Sequence, residues 1–329
     1  MLKYITIVTS LLCVTQFGWG QCCSGGVPMG SNIGLPASEA GVWQWMLSYD
    51  LNVLRTLKDA DNILDDDTRE RLTQAWLFQV GYAFNSRWAV DAFIPYVRQE
   101  RTIRQIGLSE NFTFTQGIGD PTLLVKFKAA TLNEGNGEWW VAAGPKFPLG
   151  ASDLTDERGI TLIADLQPGS GAWDGVLWSQ FSHQIPWRPS MSFSSRVIVR
   201  LTGENDTYLG DQVYEFGNEF QALLSLSDRV LLGTILFDPG LTLRFRHAGR
   251  DLNDGELVPN SGGSFLFIAP SAGVQITPSL SLQSRLDLPV YAYVDGTQLA
   301  PTYLVNVVLL FRLNRTYSFK PGTLPLFED

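Results

Sequence analysis

Charged residues recur at alternate positions in several stretches of this 329-residue chain, with apolar residues between them. Two basic clusters and one acidic cluster stand out, in chain order Arg196 with Arg200, Glu215 with Glu219, and Arg244 with Arg246. If the three stretches are neighbouring strands, Arg–Glu–Arg ladders form between them. Such ladders allow two interpretations. They form a charged constriction that orients a polar solute, or they are satisfied ion pairs that fill a narrow lumen, since buried charges must be paired.

Other charges fall on the same face of the alternating stretches. The residues predicted to line a pore are Lys126, Lys128, Arg196, Arg200, Glu215, Glu219, Asp238, Arg244, Arg246, Arg285 and Asp287. The same face also carries Asp50, Asp91, Asp120, Lys146, Asp174 and Arg312.

Catalytic chemistry has few candidates. A serine hydrolase needs a histidine beside a serine and an orienting polar group. The only two histidines, His183 and His247, lie at predicted strand ends without the local His/Ser spacing of outer-membrane lipid hydrolases. The acidic run "DADNILDDD" at 59–67 lacks the glycine turn and the glutamate of a calcium-binding loop, which favours a solvated loop. We predict no catalytic residue, metal site or cofactor, and keep lipid hydrolysis as the least favoured alternative.

Alternation with a period of two is the secondary-structure pattern that runs through the chain. In "GIGDPTLLVKFKAA" at 117–130, Leu123 and Val125 fall on one face and Lys126 and Lys128 on the other. Such alternation predicts β-strands. The twelve predicted strands lie near 41–54, 70–84, 87–102, 118–130, 138–148, 172–184, 189–202, 211–226, 229–248, 264–277, 279–293 and 302–314. Most exceed the five or six residues of ordinary strands, and their length suits strands that cross a membrane.

The connections between these strands are short and long in turn. The short joints are "NSR" at 85–87, "LNEGNG" at 132–137, "IPWRP" at 185–189, "SDR" at 227–229 and "PS" at 278–279, and the intervening joints are longer and polar. This arrangement is typical of outer-membrane barrels, with short turns in the periplasm and long loops outside. A lysine facing lipid would cost about 2–4 kcal/mol, so the charged face points inward. We therefore predict an all-β, antiparallel, up-and-down transmembrane barrel of about 12 strands over 41–314. A secreted two-sheet β-protein is the alternative.

The two ends of the chain indicate export to the bacterial outer membrane. Residues 1–20 have one lysine, a short apolar run and small residues before Gln21, as in a cleaved signal peptide. Residues 21–40 then form a periplasmic segment, in which Cys22 and Cys23 are adjacent and make no disulfide framework. Lipidation of Cys22 is a less favoured alternative to a flexible N-terminus. Residues 315–329 form a periplasmic tail.

Three short motifs resemble a bacterial family. The motifs are Gly117, Gly119 and Asp120 at a strand opening, Lys146, Pro148 and Gly150 at a strand end, and Gly169, Ser170, Gly171 and Asp174 before the next strand. They are similar to the outer-membrane transporter-like proteins labelled "MetA-pathway of phenol degradation". The resemblance is strongest over about 75–200. It implies an outer-membrane barrel with a transport role, for small aromatic or other apolar compounds.

These observations predict an outer-membrane channel for facilitated diffusion of a small solute. A plugged barrel that binds ligands or surfaces through its long loops is the alternative. The expected partners are outer-membrane lipid, lipopolysaccharide, a small-molecule solute and, during biogenesis, the barrel-assembly machinery. A net charge of −9 and a pI near 4.8, without a basic patch, argue against nucleic acid.

Overall fold

The fold is described by a computed structural model over residues 40–104, 110–132 and 135–313. The predicted signal peptide, nearly all of the 21–40 segment with its two cysteines, and the 315–329 tail lie outside the described residues. The strands are β1 (Trp43–Ala60), β2 (Asn62–Ile63), β3 (Arg69–Ala83), β4 (Trp88–Ile103), β5 (Asn111–Ile118), β6 (Thr122–Leu132), β7 (Gly137–Lys146), β8 (Asp174–Ile185), β9 (Arg188–Leu201), β10 (Glu204–Tyr208), β11 (Gln212–Glu215), β12 (Glu219–Ser227), β13 (Val230–Leu232), β14 (Ile235–Ala248), β15 (Leu252–Asn253), β16 (Glu256–Leu257), β17 (Gly263–Thr277) and β18 (Leu280–Leu313).

Eleven of these strands close into an antiparallel ring. Its order is β12-β9-β8-β7-β6-β4-β3-β1-β18-β17-β14, and β14 pairs back onto β12. Three strands of the same sheet lie outside the ring: β2 pairs with β1, β5 with β4, and β13 with β14. The strands β10, β11, β15 and β16 form a separate sheet. The predicted closed barrel is confirmed, and the soluble two-sheet alternative is not what the chain forms.

The last strand crosses the barrel wall twice. Its first half is antiparallel to β17 and its second half is antiparallel to β1. Because directions alternate around the rest of the ring, these two halves run in opposite directions. A straight strand of 34 residues would also be about 110 Å long, far longer than its neighbours. The chain reverses near Asp295–Gly296, where Gly296 has a φ of +80°, so the wall has 12 crossings, as predicted.

The alternation of residues in the wall separates a packed interior from an apolar exterior. On β3, Leu77 and Gln79 are buried while Phe78 between them is exposed. Aromatic side chains cluster on the outer surface near the periplasmic strand ends, where Trp43 and Tyr82 rings are 4.6 Å apart. A second outer cluster contains Trp76, 5.3 Å from Tyr49. Outward-facing aromatic girdles of this kind are typical of transmembrane barrels. No helix of the described residues is long and apolar enough to cross a membrane.

The strand predicted over 118–130 is interrupted. Residues 119–121 separate β5 from β6, and both strands pair with β4, β5 along its extracellular half and β6 along its periplasmic half. The reason is the carboxylate of Asp120, which accepts hydrogen bonds from the backbone N–H groups of Gly150 (2.9 Å) and Ser170 (2.8 Å). The alternating pattern contains no information about these contacts.

The strand predicted over 211–226 is also wrong in part. β11 belongs to the separate sheet, and β12 begins only at Glu219. The chain breaks at Gly217 because a Cβ there would lie 2.0 Å from the carbonyl oxygen of Gly249. Glu215 therefore lies in the separate sheet at the extracellular end, and not in the barrel wall where the sequence pattern placed it.

The turn predicted at 227–229 lies further along the chain. The hairpin between β12 and β14 continues through β13 and turns at Gly233, which has a φ of +64°. Asp228 stays in the hairpin, where its N–H donates to the carbonyl of Pro239 at 3.0 Å. The short turns predicted at 85–87, 185–189 and 278–279 lie where they were predicted, and the one at 132–137 lies partly outside the described residues.

The connection between β7 and β8 folds inward over the extracellular end of the lumen. It contains a short 3₁₀-helix, Ala164–Leu166. Residues 164–169, here called the constriction segment, are all buried. Ala164 packs with Tyr208, Tyr214 and Phe216, next to Val258, so this loop and the separate sheet close the extracellular end together.

The outer face generates a stability prediction. Leu224 lies on the outer surface in register with Leu243, which is in turn in register with Ile268. Leu224→Arg should lower the free energy of unfolding by about 2–4 kcal/mol, because it puts a charge against lipid. Leu257→Arg, in the separate sheet, is the control and should change it by less than about 0.5 kcal/mol. Urea unfolding of the mature chain in phospholipid vesicles measures both, and equal losses would contradict the assignment of the lipid face.

Candidate functional site

A continuous chain of ion pairs runs along the inner wall near its extracellular end. Its members, in spatial order, are Asp120, Lys146, Asp174, Arg200, Glu219 and Arg246. They come from six consecutive segments of the wall, because Lys146 and Asp174 are in register, as are Arg200 and Glu219. All but Arg246 are at least nine-tenths buried. The predicted Arg–Glu–Arg arrangement is present as Arg200–Glu219–Arg246.

Lys146 is the most highly connected cation of this ion-pair chain. Its Nζ lies 2.6 Å from Asp120 Oδ2, 3.1 Å from Asp174 Oδ2 and 2.6 Å from Ser170 Oγ. Ser170 belongs to the loop between β7 and β8. One lysine therefore joins two wall positions to the loop that covers the lumen.

The glycine motifs surround this lysine. A Cβ on Gly150 would lie 2.8 Å from the Cα of Gly169, and a Cβ on Gly169 would lie 2.6 Å from the carbonyl carbon of Gly150. Gly171 has a φ of +70°. The backbone approaches itself too closely here for larger residues, so these glycines allow Asp120 to reach the backbone donors of the loop. Of the remaining motif residues, Gly117 lies against Pro168, and the carbonyl carbon of Gly119 would lie 2.8 Å from a Cβ on Gly150. Pro148 lies between β7 and Gly150.

A second group of charges lies on the neighbouring strands. Asp287 accepts from Arg285 Nε at 2.6 Å and lies 2.8 Å from Arg244 Nη2. The guanidinium of Arg244 lies 4.2 Å from the ring centre of Phe267. On β1, Asp50 accepts a hydrogen bond from the side chain of Asn306 at 2.7 Å. These inward charges are paired, as low-dielectric surroundings require.

Two lysines line the opposite part of the wall. Lys126 is fully buried, 2.9 Å from Asp91 Oδ2 and 5.1 Å from the ring centre of Trp178. Lys128 is nearer the periplasm, 2.5 Å from Glu138 Oε1. Around Lys126 the wall is apolar, with a buried cluster of Met46, Leu77, Phe93, Leu124, Trp140, Ala142, Val176, Trp178, Ile198, Val308 and Leu310. The interior thus presents an apolar cluster as well as paired charges, and β8, β9 and β18 contribute to both.

The constriction segment is held by residues that were not among the predicted site residues. Arg71 Nη1 lies 3.2 Å from Asp165 Oδ2, and Arg71 also donates to Gln99. Thr115 Oγ1 donates to the carbonyl of Leu166 at 2.6 Å. Arg71 and Gln99 lie on the inward face of their strands, so alternation alone identifies them as inward. Asp165 lies in an irregular loop, where no sequence pattern indicates its position.

A vestibule of about 460 Å³ opens at the periplasmic end. Its lining is rich in hydroxyl and amide groups, including Ser192, Ser227, Ser271 and Gln283. Asp238, a predicted pore-lining residue, lies at the same end and pairs with Arg229 at 2.7 Å. A smaller adjoining cavity of about 210 Å³ also has Asp238 and Arg312 in its lining.

At the periplasmic rim of the barrel, outside the membrane-spanning strands, charged side chains pair with nearby residues of opposite charge. Asp228, between β12 and β13 in the hairpin, pairs with Arg188. The hydrogen bond from the Arg188 guanidinium, with one from Ser190, holds the pKa of the Asp228 carboxyl below its usual value. This rim carboxylate is therefore ionised and engaged at neutral pH.

The histidines lie on the outer surface. His247 Nδ1 is 2.8 Å from Ser264 Oγ, on the neighbouring strand and in register with it. His183 lies near the periplasmic end of β8, where its ring stacks 6.4 Å from Phe181. Across residues 40–104, 110–132 and 135–313, no group of three His, Cys, Asp or Glu side chains is arranged to hold a metal ion.

Comparison with known proteins identifies both sequence and fold relatives. A family profile described as "Putative MetA-pathway of phenol degradation" matches residues 70–299. Among curated proteins, none matches this sequence. An outer membrane channel from Pseudomonas putida F1 has the same fold, with a TM-score of 0.67 and 16% identity over 87% of this chain and 100% of that one.

More distant barrels include two autotransporter domains. The β domain of the Bordetella autotransporter BrkA gives a TM-score of 0.46, with 10% identity over 84% of this chain and 100% of that one. The translocator domain of NalP from Neisseria meningitidis gives 0.43, with 12% identity over 85% and 91%. The barrel fold and its apolar outer belt place the chain in the bacterial outer membrane, as predicted.

Lys146 provides a prediction about the ion-pair chain. Lys146→Met leaves Asp120 and Asp174 buried without their shared cation, so the free energy of unfolding should fall by about 3–5 kcal/mol. Lys128→Met removes a lysine from the wider periplasmic end, where its partner Glu138 is partly exposed, and should cost at most about 1 kcal/mol. Urea unfolding followed by tryptophan fluorescence compares the two variants. Similar losses for both would show that Lys146 is not the connecting residue.

Proposed function

Because this chain belongs to the family described as "Putative MetA-pathway of phenol degradation", we propose that it is an outer-membrane channel for facilitated diffusion of a small solute. The related fold from Pseudomonas putida F1 is described as an outer membrane channel, which supports this proposal. Transport needs no covalent step and no cofactor. The protein contributes a path, a wall that recognises the solute, and an end that opens.

One observation carries the proposal: the two ends of the lumen are built differently. At the periplasmic end, wall strands themselves line an open vestibule of about 460 Å³. At the extracellular end, the lumen is covered by the constriction segment, which belongs to a loop and not to the wall. A cover made of loop residues can move without breaking the hydrogen bonds between the strands of the ring.

Side chains of the barrel wall hold the constriction segment mainly at Asp165, and Arg71 supplies two of these hydrogen bonds. Its guanidinium reaches both the carboxylate and the carbonyl of Asp165, the latter at 2.5 Å. Gln99 donates to the same carbonyl at 3.1 Å. Loss of Arg71 removes two of the hydrogen bonds that end on Asp165 and should loosen the cover, whereas the vestibule has no Arg71 in its lining.

The interior suits a solute with both apolar and polar parts. Its apolar cluster provides aromatic surface through Trp140 and Trp178, and its charged groups include arginines. This combination supports the small aromatic solutes suggested by the family description. The plugged, surface-binding barrel remains the second candidate, favoured by the near-complete pairing of the inward charges.

The closed extracellular end gives a conductance prediction. The mature chain in a planar bilayer should show small, discrete openings. Arg71→Leu should raise the conductance or the open probability severalfold, because the constriction segment loses its main anchor. Arg69→Leu, on the same strand, changes an arginine that pairs with Asp66 in the loop before β3, and it should behave as the unmodified protein.

A heat-modifiability gel shows whether each of these variants is folded. If all three proteins are folded and none conducts, the channel proposal fails and the plugged barrel takes its place. If Arg69→Leu opens the pore as much as Arg71→Leu, the constriction segment is not the cover.

The hydrolase alternative is tested through His247. The contact between His247 and Ser264 is what favours this alternative. A histidine–serine pair on the outer surface faces lipid, the substrate of such an enzyme. We expect the purified barrel to release no fatty acid from phospholipid vesicles, and His247→Ala to change nothing. Hydrolysis by the unmodified protein that disappears both in His247→Ala and in Ser264→Ala would replace the channel proposal with an enzyme.

A further inference from the structure

We infer that Trp178 is a specificity-determining residue of the proposed channel, because its ring completes a packed layer across the lumen that polar solutes do not cross. This inference rests on the proposed channel function and deepens it. It follows from the burial of the inward side chains beyond the vestibule, from the path of the Trp178 ring, and from the contacts that fix that ring.

The first step is that the vestibule is closed at its inner end. Each crossing of the barrel wall carries an inward side chain that is at most 7% exposed. A side chain that lines a water-filled pore keeps exposed surface, so the lumen is packed at this depth. We call these residues the lumen layer. They are Met46, Gln79, Phe93, Lys126, Ala142, Trp178, Ile198, Leu223, Thr242, Ala269, Asp287 and Val308.

The order of residues along single strands shows where the lumen layer lies. The inward face of β8 carries Gln184 at the vestibule, then Trp178, then Asp174 of the ion-pair chain. Two further strands repeat this order, with a serine at the vestibule, an aliphatic residue in the layer and a charge of the ion-pair chain: Ser192, Ile198 and Arg200 on β9, and Ser227, Leu223 and Glu219 on β12. The lumen layer therefore separates the vestibule from the ion-pair chain and lies in series with the cover.

The second step is the path of the Trp178 ring. Trp178 is in register with Ala142 on β7, and Ala142 is in register with Lys126 on β6. The ring centre of Trp178 lies 5.1 Å from Lys126 Nζ, although β7 separates their two strands. The ring therefore extends over the inward face of β7, where the small side chain of Ala142 leaves room for it.

The third step is the set of contacts that fixes the ring. Lys126 donates to Asp91 Oδ2 at 2.9 Å, and its ammonium group attracts the face of the Trp178 ring. Asp91 is in register with Gly81, where a Cβ would overlap Asp91 Oδ1. The glycine thus gives the carboxylate its place, the carboxylate fixes the lysine, and Lys126 acts as a positioning residue for Trp178.

The surroundings of the ring determine which solutes can replace it. Trp178 is in register with Ile198, and both belong to the buried apolar cluster of the interior. Three polar members of the layer already bind wall residues, since Lys126 and Asp287 are in ion pairs and Thr242 contacts a serine hydroxyl. An apolar solute can take the place of the ring without losing hydrogen bonds, whereas a sugar would leave hydroxyl groups unpaired at a cost in free energy. The cover thus controls how often the path opens, and the layer controls which solutes pass.

The first test measures swelling of proteoliposomes, with arabinose as the polar probe. The unmodified mature chain should admit arabinose slowly. Trp178→Ala should raise the rate at least about tenfold, because the apolar constriction loses its largest side chain. Trp139→Ala is the matched control, since this tryptophan lies on the outer face of β7 and is 44% exposed, and it should leave the rate unchanged.

A milder variant keeps this test decisive if the cavity left by Trp178→Ala prevents folding. Trp178→Leu leaves a smaller cavity and should raise the arabinose rate by a smaller factor. A heat-modifiability gel shows which variants are folded.

The second test measures access to the lumen without depending on transport. In a chain with Cys22→Ser and Cys23→Ser, single cysteines are placed on β12 on either side of the layer. Ser227→Cys, in the vestibule, should react with a charged methanethiosulfonate at least about tenfold faster than Gln221→Cys, which is 2% exposed beyond the layer. Addition of Trp178→Ala should speed the reaction at Gln221→Cys and leave that at Ser227→Cys unchanged.

The outcomes separate the lumen layer from the channel. If folded Trp178 variants change neither arabinose uptake nor the reaction at Gln221→Cys, the layer inference is overturned, and the channel proposal still stands on its conductance test. Equal uptake in Trp139→Ala and Trp178→Ala also overturns the inference. If no variant conducts or admits arabinose while Trp178→Ala still exposes Gln221→Cys, the layer is supported and the channel proposal fails.

Discussion

Every charge that points into a membrane-embedded barrel must find an opposite charge or a hydrogen bond there, because little water is available to solvate it. This constraint accounts for the ion-pair chain that runs from Asp120 through Lys146 to Arg246. Adjacent antiparallel strands place inward residues side by side, so alternating signs on successive strands satisfy one another. The pairing of the charges therefore depends on the register between the strands. A one-residue slip of β9 would turn Arg200 toward lipid, and Glu219 would lose one of its partners.

The same constraint explains why the loop between β7 and β8 lies inside the barrel. Asp120 and Asp174 share Lys146, but the oxygens of Asp120 also accept from backbone donors that only the loop provides, at Gly150 and Ser170. The loop thus completes the solvation of a buried carboxylate. Its glycines are required by the closeness of the backbone at this point, where Gly150 and Gly169 touch. The loop thus closes the extracellular end because it lies where its backbone N–H groups can donate to the buried carboxylate of Asp120.

The sequence was sufficient for the barrel because the lipid and the lumen impose a strict period of two. That period placed Lys126, Arg200, Glu219 and Arg285 on one face of their strands, where each lies against a residue of opposite charge, and the glycine motifs predicted the family. It failed where the chain departs from the wall. Glu215 follows the alternation yet lies in the separate sheet, because Gly217 packs against Gly249, a contact between residues distant in sequence. Asp165 carries no periodic pattern, so its pairing with Arg71 depended on the three-dimensional path of the loop.

In the proposed channel, stability and permeability reside in different parts of the molecule. The ring is held by backbone hydrogen bonds between strands and by buried ion pairs, neither of which needs to change for a solute to pass. The cover is held by side chains of Arg71, Gln99 and Thr115 that end on loop carbonyls or on Asp165. Hydrogen bonds of this kind contribute about 0.5–3 kcal/mol each, depending on charge, so they break far more often than the wall unfolds. Lys146 is where the two systems meet, since it binds both a wall carboxylate and a loop hydroxyl. In the proposed channel the loop end can therefore open while the wall stays intact, and such a movement would change the surroundings of Asp120, which accepts hydrogen bonds from Gly150 and Ser170 of the loop.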